Sequence, residues 1–482
     1  MYAASSSSNA MGQEIHTSRF TQTDFETFGV CLRQETELLE GWFRDGVFAS
    51  THKIGGCELE AYLVAADLTP APIVETFLER LTDPLVGSEL ATFNAEINAT
   101  PQPLRGDALS RLAAGLEATW KRCTRAAAGL DTRLAMIGIL PTVRPEHLDM
   151  AHMSPLKRYW ALNEQTLRLR RGRPFTLEIQ GEERLFLERR DVMMEPVATS
   201  FQIHLQVTQE EAARVYNWSK VLAAPMVAVS ANSPFLFGHD LWAESRIPLF
   251  EQAISVGGPF FRERVTFGLR YVEDSVFECF RANLERFPVL LPQVMDEPPE
   301  RLAHLRLHNG TIWRWNRPLI GFDTASTPHL RIEHRVMSAG PTVADVIANA
   351  ALYFGAIQSF AGKQVHPRRH LPFSVAKGNF YEAARAGLDA EVEWLDRRPT
   401  TLRQVLTDDL LPRASQGLAE LGIDASEIDR WLGIIADRLR TGQTGSVWQR
   451  AWIARHGRDL TALTAAYLEH QESGLPAHQW PL

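Results

Sequence analysis

The sequence is poor in cysteine. Four thiols (Cys31, Cys57, Cys123 and Cys279) are scattered over 482 residues with no Cys-x-x-Cys pair. That spacing excludes a zinc ribbon and a disulfide framework and predicts a reducing compartment. Positive charge is also short. Lys and Arg number 50 against 58 Asp and Glu, leaving a formal charge of −8 without the clustered cations that a nucleic-acid surface needs. The one arginine-dense stretch, "LRLRRGRP" (167–174), reads as a solvated loop before a strand. No apolar run approaches the roughly 20 residues of a membrane helix, since "VLAAPMVAVSA" (221–231) is short and holds a proline. The Ser-rich start has no apolar signal-peptide core, so residues 1–12 read as a disordered tail outside the fold. Phosphate-loop motifs are missing as well: there is neither GxxxxGK[ST] nor GxGxxG ahead of a helix. Together these absences predict a cytoplasmic protein that partners neither nucleic acid nor membrane.

What is present is an α+β pattern. Helical spacing marks 22–45, 105–130 and 209–230, the last opened by the Thr208/Glu211 capping box, and 341–357 with a proline near its start. A helix over 69–81 is predicted to carry proline in its first turn. "HNGTIWRWNRP" (308–318) reads as an Asn-Gly turn leading into a Trp-rich strand. From about 366 onward the chain is nearly all helical. This length suggests two or three domains. The expected division is a catalytic body over 13–365 and a helical extension over 366–482 packed on it.

Four segments alternate with period two, so that one face is apolar and the other polar. In 56–64, Cys57, Leu59, Ala61 and Leu63 oppose Glu58 and Glu60. In 93–98, Phe93, Ala95 and Ile97 oppose Asn94, Glu96 and Asn98. In 201–207, the apolar set opposes Gln202, His204 and Gln206, and in 330–336 it opposes Arg331, Glu333 and Arg335. An antiparallel sheet with one solvated face would show the same alternation. The residue types argue otherwise: Glu58, Glu60, Glu96 and Glu333, with Glu89 nearby, crowd one face with no lysine among them. Such carboxylates repel one another unless cations neutralise them. Carboxylate oxygens with one imidazole suit Mg²⁺ or Mn²⁺. With Arg331 and Arg335 alongside, this is the equipment of phosphoryl transfer.

The motifs "GCELE" (56–60), "ELATFNAEIN" (89–98), "KRYWALN" (157–163), "FQIHLQV" (201–207), "ANSPFLFG" (231–238), "ESRIPLFEQ" (244–252) and "RIEHRVMSAGPTVADVIANAAL" (331–352) resemble, in order and spacing, the glutamate–cysteine ligases and related carboxylate–amine ligases. The resemblance extends to "NFYEAARAGLDAEV" (379–392) and "TGQTGSVWQRAW" (441–452). It implies a glutamine-synthetase-like α+β fold, in which helices flank a curved antiparallel sheet that floors the active site. It also implies a ligase that uses ATP to phosphorylate the γ-carboxylate of glutamate, with cysteine or another amine attacking. By position, Glu58, Glu60, Glu89, Glu96, His204 and Glu333 would hold metal. Arg335 would contact the transferring phosphate, with Arg331 and Arg158 on the nucleotide side. Arg158, Arg246 and Asn232 would lie at the substrate. Two departures stand out. Cys57 replaces an aliphatic or Thr, and alternation turns it away from the site. Gln202-Ile-His204 stands where some branches carry His-x-His, which leaves the metal count open. Two other readings remain: a non-catalytic nucleotide- or metal-binding regulator on the same fold, and a guanidino-type phosphotransferase. Oligomeric state is open, a homo-oligomer being compatible. His334 alternates to the apolar side and reads as a core histidine, and Trp313 and Trp315 read as core packing around Arg314.

Overall fold

The computed structural model describes residues 14–50, 53–362 and 365–482, so the expected tail at 1–12 lies outside the described residues. Eight strands form the main sheet: β1 (Ile54–Val64), β2 (Val86–Ser88), β3 (Asn94–Asn98), β4 (Gln102–Pro103), β5 (Arg133–Ala135), β6 (Ser200–Val207), β7 (Asn316–Phe322) and β8 (Pro328–Ser338). Their order is β7-β8-β6-β1-β3-β2, with β4 and β5 also pairing with β1. Every pairing is antiparallel. A separate hairpin, Phe175–Gln180 with Arg184–Arg189, stands apart from this sheet.

The alternation read from the sequence holds. Leu59, Ala61, Ile203, Leu205 and Ile332 are fully buried on the apolar side. His334 joins them, stacked 4.4 Å from the Tyr353 ring, and burial pushes it down to about 3. Two helices lie beneath this face, α1 (Gln209–Ser230) and α2 (Val343–Ala361). The approach is close at Gly55, where a Cβ would fall 2.7 Å from the Phe354 ring of α2. The α2 helix corrects one expectation: its 19 residues are long and apolar enough to cross a membrane, but 89 % of the stretch is buried inside the fold. Its apolarity serves the core beneath the sheet.

The region after 366 shares that core. Helix α3 (Leu411–Glu420) crosses α2 with backbones in contact. A Cβ on Gly417 would meet the Gly355 carbonyl, and one on Gly355 would meet that of Ala414. The strands Glu391–Glu393 and Pro399–Thr401 form a small hairpin within the stretch read as helical.

Three local expectations change. The helix predicted at 69–81 begins only at Val74, so Pro70 and Pro72 precede it rather than occupy its first turn. Asn309 and Gly310 end a helix (Ala303–Gly310) instead of forming a hairpin turn, and the strand starts at Asn316, past both tryptophans. Trp315 packs under Arg246 at 5.4 Å, whereas Arg314 lies over Phe287 at 5.5 Å.

Candidate active site

Strand register builds the polar face rung by rung. Arg317, Glu333, His204 and Gly56 stand side by side across β7, β8, β6 and β1, and Glu60 stands opposite Glu96. Glu58, one front position along β1, comes within 2.7 Å of His204 Nε2, and Glu333 within 3.8 Å. Two groups of three result. Glu58, His204 and Glu333 form one; Glu60, Glu89 and Glu96 form the other. Within each, the ligand atoms lie within 4.8 Å of one another. All six residues expected to hold metal are thus brought together on this face.

The fit to a cation rests on two observations. His204 is 6 % exposed, yet its Nδ1 has no hydrogen-bond partner among the described residues, and its Nε2 lies 2.7 Å from a Glu58 oxygen without hydrogen-bond geometry. A buried polar atom left this way is costly, and here carboxylate oxygens surround it. In the second group, burial pushes Glu60 up to about 7, with Glu89 adding to it. Glu96 is driven well above the carboxylate range by burial and by Glu58, Glu89 and Glu60. Carboxylates that hinder each other's ionisation are relieved by a divalent ion. Five carboxylates and one imidazole are the donor set of a hard ion such as Mg²⁺ or Mn²⁺.

The arginines differ in what they do. Arg335 donates to Glu333 at 3.0 Å and also to the side-chain amide oxygen of Gln202, while its Nε has no partner. Arg331 is half-buried beside Glu58 and Glu333, its Nε likewise unpartnered. Arg158 sits against Tyr159, its Nη2 2.8 Å from the phenol oxygen, near Glu89. Arg246 lies under the end of β8, paired with Glu244 at 3.2 Å and donating to the Val336 carbonyl. Asn232 is not brought to this face. Its amide nitrogen donates to the Ala339 carbonyl and the Tyr467 hydroxyl, each at 2.8 Å, its oxygen accepts from Gln449 at 3.0 Å, and the residue is fully buried. Both polar atoms of that side chain are engaged in tying the C-terminal helices to the end of β8.

Gln202 explains its own departure from His-x-His. Its amide nitrogen donates to Glu60 at 2.9 Å while its oxygen accepts from Arg335, so it orients a carboxylate and a guanidinium. Ser200 holds Glu60 too, through its N–H at 2.6 Å and its hydroxyl at 2.9 Å. Two site residues escaped sequence reasoning. Arg317 grips Glu333 with Nε at 2.7 Å and Nη2 at 3.0 Å; although burial opposes it, this pair and Arg335 pull Glu333 well below the usual carboxylate range. Glu195 lies near Glu89, Glu60 and Arg335, and burial and those carboxylates raise it well above that range. Alternation along 316–322 could have found Arg317. Glu195 precedes β6 in a single 3-10 turn, which has no period to read.

Residues 54–466 match the model of glutamate–cysteine ligase family 2 (GCS2). No curated protein matches the sequence. Among solved structures, a glutamate–cysteine ligase from Francisella tularensis in complex with AMP is 12 % identical with a TM-score of 0.56, covering 88 % of this chain and 90 % of that one. A bifunctional glutathione synthetase from Pasteurella multocida is 11 % identical with a TM-score of 0.56, covering 91 % of this chain and 55 % of that one. At these identities the likeness is one of fold, the glutamine-synthetase-like curved antiparallel sheet with flanking helices. The family model spans most of the sequence and all six acidic and imidazole positions, and the chain belongs to glutamate–cysteine ligase family 2.

Proposed function

We propose that the protein is an ATP- and Mg²⁺-dependent ligase that activates the γ-carboxylate of glutamate as an acyl phosphate, for attack by cysteine or another amine. Family membership carries the reaction class, a carboxylate–amine ligase; the acid, the amine and the metal are the proposal. The observation that supports it most is the pair of acidic groups on one sheet face with Arg335 beside them. Mg²⁺ held by Glu58, His204 and Glu333 and by Glu60, Glu89 and Glu96 would neutralise substrate phosphates. In this reading the remaining chemistry belongs to side chains of the chain itself. Arg335, fixed by Glu333 and Gln202, presents its guanidinium to the transferring phosphoryl group, and Arg331 extends the cationic strip toward the nucleotide. Arg158, at the Glu89 end, and Arg246, beneath Arg335, would orient the substrate carboxylates. Gln202 and Ser200 keep Glu60 pointed inward, which preorganises the charge before substrate arrives.

Incubation with ATP, Mg²⁺, glutamate and hydroxylamine should yield γ-glutamyl hydroxamate and ADP. If glutamate and a broad panel of other acids release no ADP, the ligase reading fails. Tight ATP binding without turnover would instead mark a regulator, and reversible transfer to a guanidine a phosphotransferase.

A further inference from the structure

Cations also collect away from the acidic face. A cavity of about 70 Å³, partly open to solvent, lies between α1, the helix Phe277–Arg286 and the 260–272 loop. Tyr216, Cys279, Phe287 and Arg314 line it, and Phe260 and Phe261 belong to the same lining although 56 % and 45 % exposed. Arg314 is 6 % exposed and lies 5.5 Å from the Phe287 ring centre. Its Nη1 has no hydrogen-bond partner, and no carboxylate pairs with it among the described residues. The acid of the lining, Glu278, is already engaged by Arg270 at 2.6 Å and by the backbone N–H groups of Glu273, Asp274 and Ser275. Behind the loop, Lys220 is 1 % exposed and donates to the Phe267 carbonyl at 2.6 Å; burial, with Arg314 adding to it, lowers it to about 7.

A buried guanidinium with no counter-charge is unfavourable unless something supplies one. Arginine offers a planar fork that matches a carboxylate in two hydrogen bonds. The phenylalanines beside it offer apolar area but no further polar partner, which suits a ligand with a charged head and an apolar body. We propose that this cavity binds a small organic carboxylate, its head on Arg314 and its apolar body against Phe287 and Phe261. The site is separate from the acidic face, although Arg314 stands only three residues before Arg317 in the chain.

Phenylacetate is a suitable probe, titrated calorimetrically into the full chain, with inorganic phosphate as the head without the body and benzyl alcohol as the body without the head. Phenylacetate should bind at one site with a sub-millimolar constant, and both controls at least about tenfold more weakly. Arg314→Gln should weaken phenylacetate at least about tenfold through loss of the charge-assisted pair. Ala282→Phe, which fills the cavity from the Phe277–Arg286 helix, should abolish binding. Saturating phenylacetate should also slow alkylation of Cys279, followed by mass spectrometry of that residue. If Arg314→Gln fails to fold, Ala282→Phe and Cys279 protection decide the matter. No binding to the wild-type chain, binding unchanged in Ala282→Phe, or either control binding as well as phenylacetate would overturn the proposal. None of these results bears on the ligase reading, because no group tested lies among the acidic residues.

Discussion

The two acidic groups share a face but solve the problem of crowded negative charge in different ways. Around Glu58, His204 and Glu333 the chain supplies its own cations: Arg317 and Arg335 bind Glu333 directly, and Arg331 lies beside it. Around Glu60, Glu89 and Glu96 it supplies mostly neutral donors, Ser200 and Gln202, with Arg335 and Arg158 more remote. Glu333 is accordingly pulled down, whereas Glu60 and Glu96 are pushed up. The chain's own arginines compensate Glu333; Glu60 and Glu96 lack such direct partners. In the proposed ligase reading, a site that brings anionic phosphates to acidic residues needs both kinds of compensation.

The largest effect should follow from removing a carboxylate of the proposed metal site. Glu58→Gln is expected to lower kcat/KM in the hydroxamate assay by about three powers of ten, or about 4 kcal/mol. Near-normal turnover would remove Glu58 from the metal site. The next effect separates stability from catalysis. Arg317→Met leaves Glu333 buried with half its compensation, at a cost of about 3 kcal/mol in denaturant unfolding. An unchanged midpoint would show that Arg335 alone suffices.

The group of Glu60, Glu89 and Glu96 should give a smaller effect of opposite sign. Mg²⁺ at about 100 times its dissociation constant should stabilise the wild-type chain by about 2.7 kcal/mol, read from the thermal midpoint. Without metal, Glu96→Gln should be more stable than wild type by about 1 kcal/mol, because a neutral amide relieves the repulsion. Its response to Mg²⁺ should also shrink. A Glu96→Gln chain less stable than wild type without metal would mean that Glu96 is held by its neighbours rather than strained by them.

The difference between the groups also marks what was legible in the sequence. Period-two alternation is a strong local signal, and it placed Glu58, Glu60, Glu96, His204, Glu333 and the inward His334 correctly, since each lies in regular strand. The compensating partners were less visible. Arg317 sits one strand away from Glu333, on a strand whose start was misjudged because "WRW" suggested β structure while the helix before it ran on to Gly310. Glu195 occupies a short turn, where no period exists. Asn232 looked like a loop residue at a substrate mouth; only the fold shows Tyr467 and Gln449 arriving from more than two hundred residues away to satisfy it. Ligands on one strand can be read from that strand, but charge compensation is tertiary.

The smallest effect tests alternation itself. Cys57 is 4 % exposed on the back of β1, where burial pushes its thiol up to about 12 and keeps it protonated. A thiol in that state is a small apolar group rather than a nucleophile or a metal ligand. Cys57→Ala should therefore cost about 1 kcal/mol of stability through the lost packing, with kcat/KM within about twofold of wild type. Its neighbour Glu58 points to the other face, so the same strand should carry a thousandfold loss and almost none at adjacent positions. A large rate loss in Cys57→Ala with the thermal midpoint preserved would mean that the back of the sheet transmits its packing to the acidic face, and the division of the strand into a reacting side and a packing side would have to be given up.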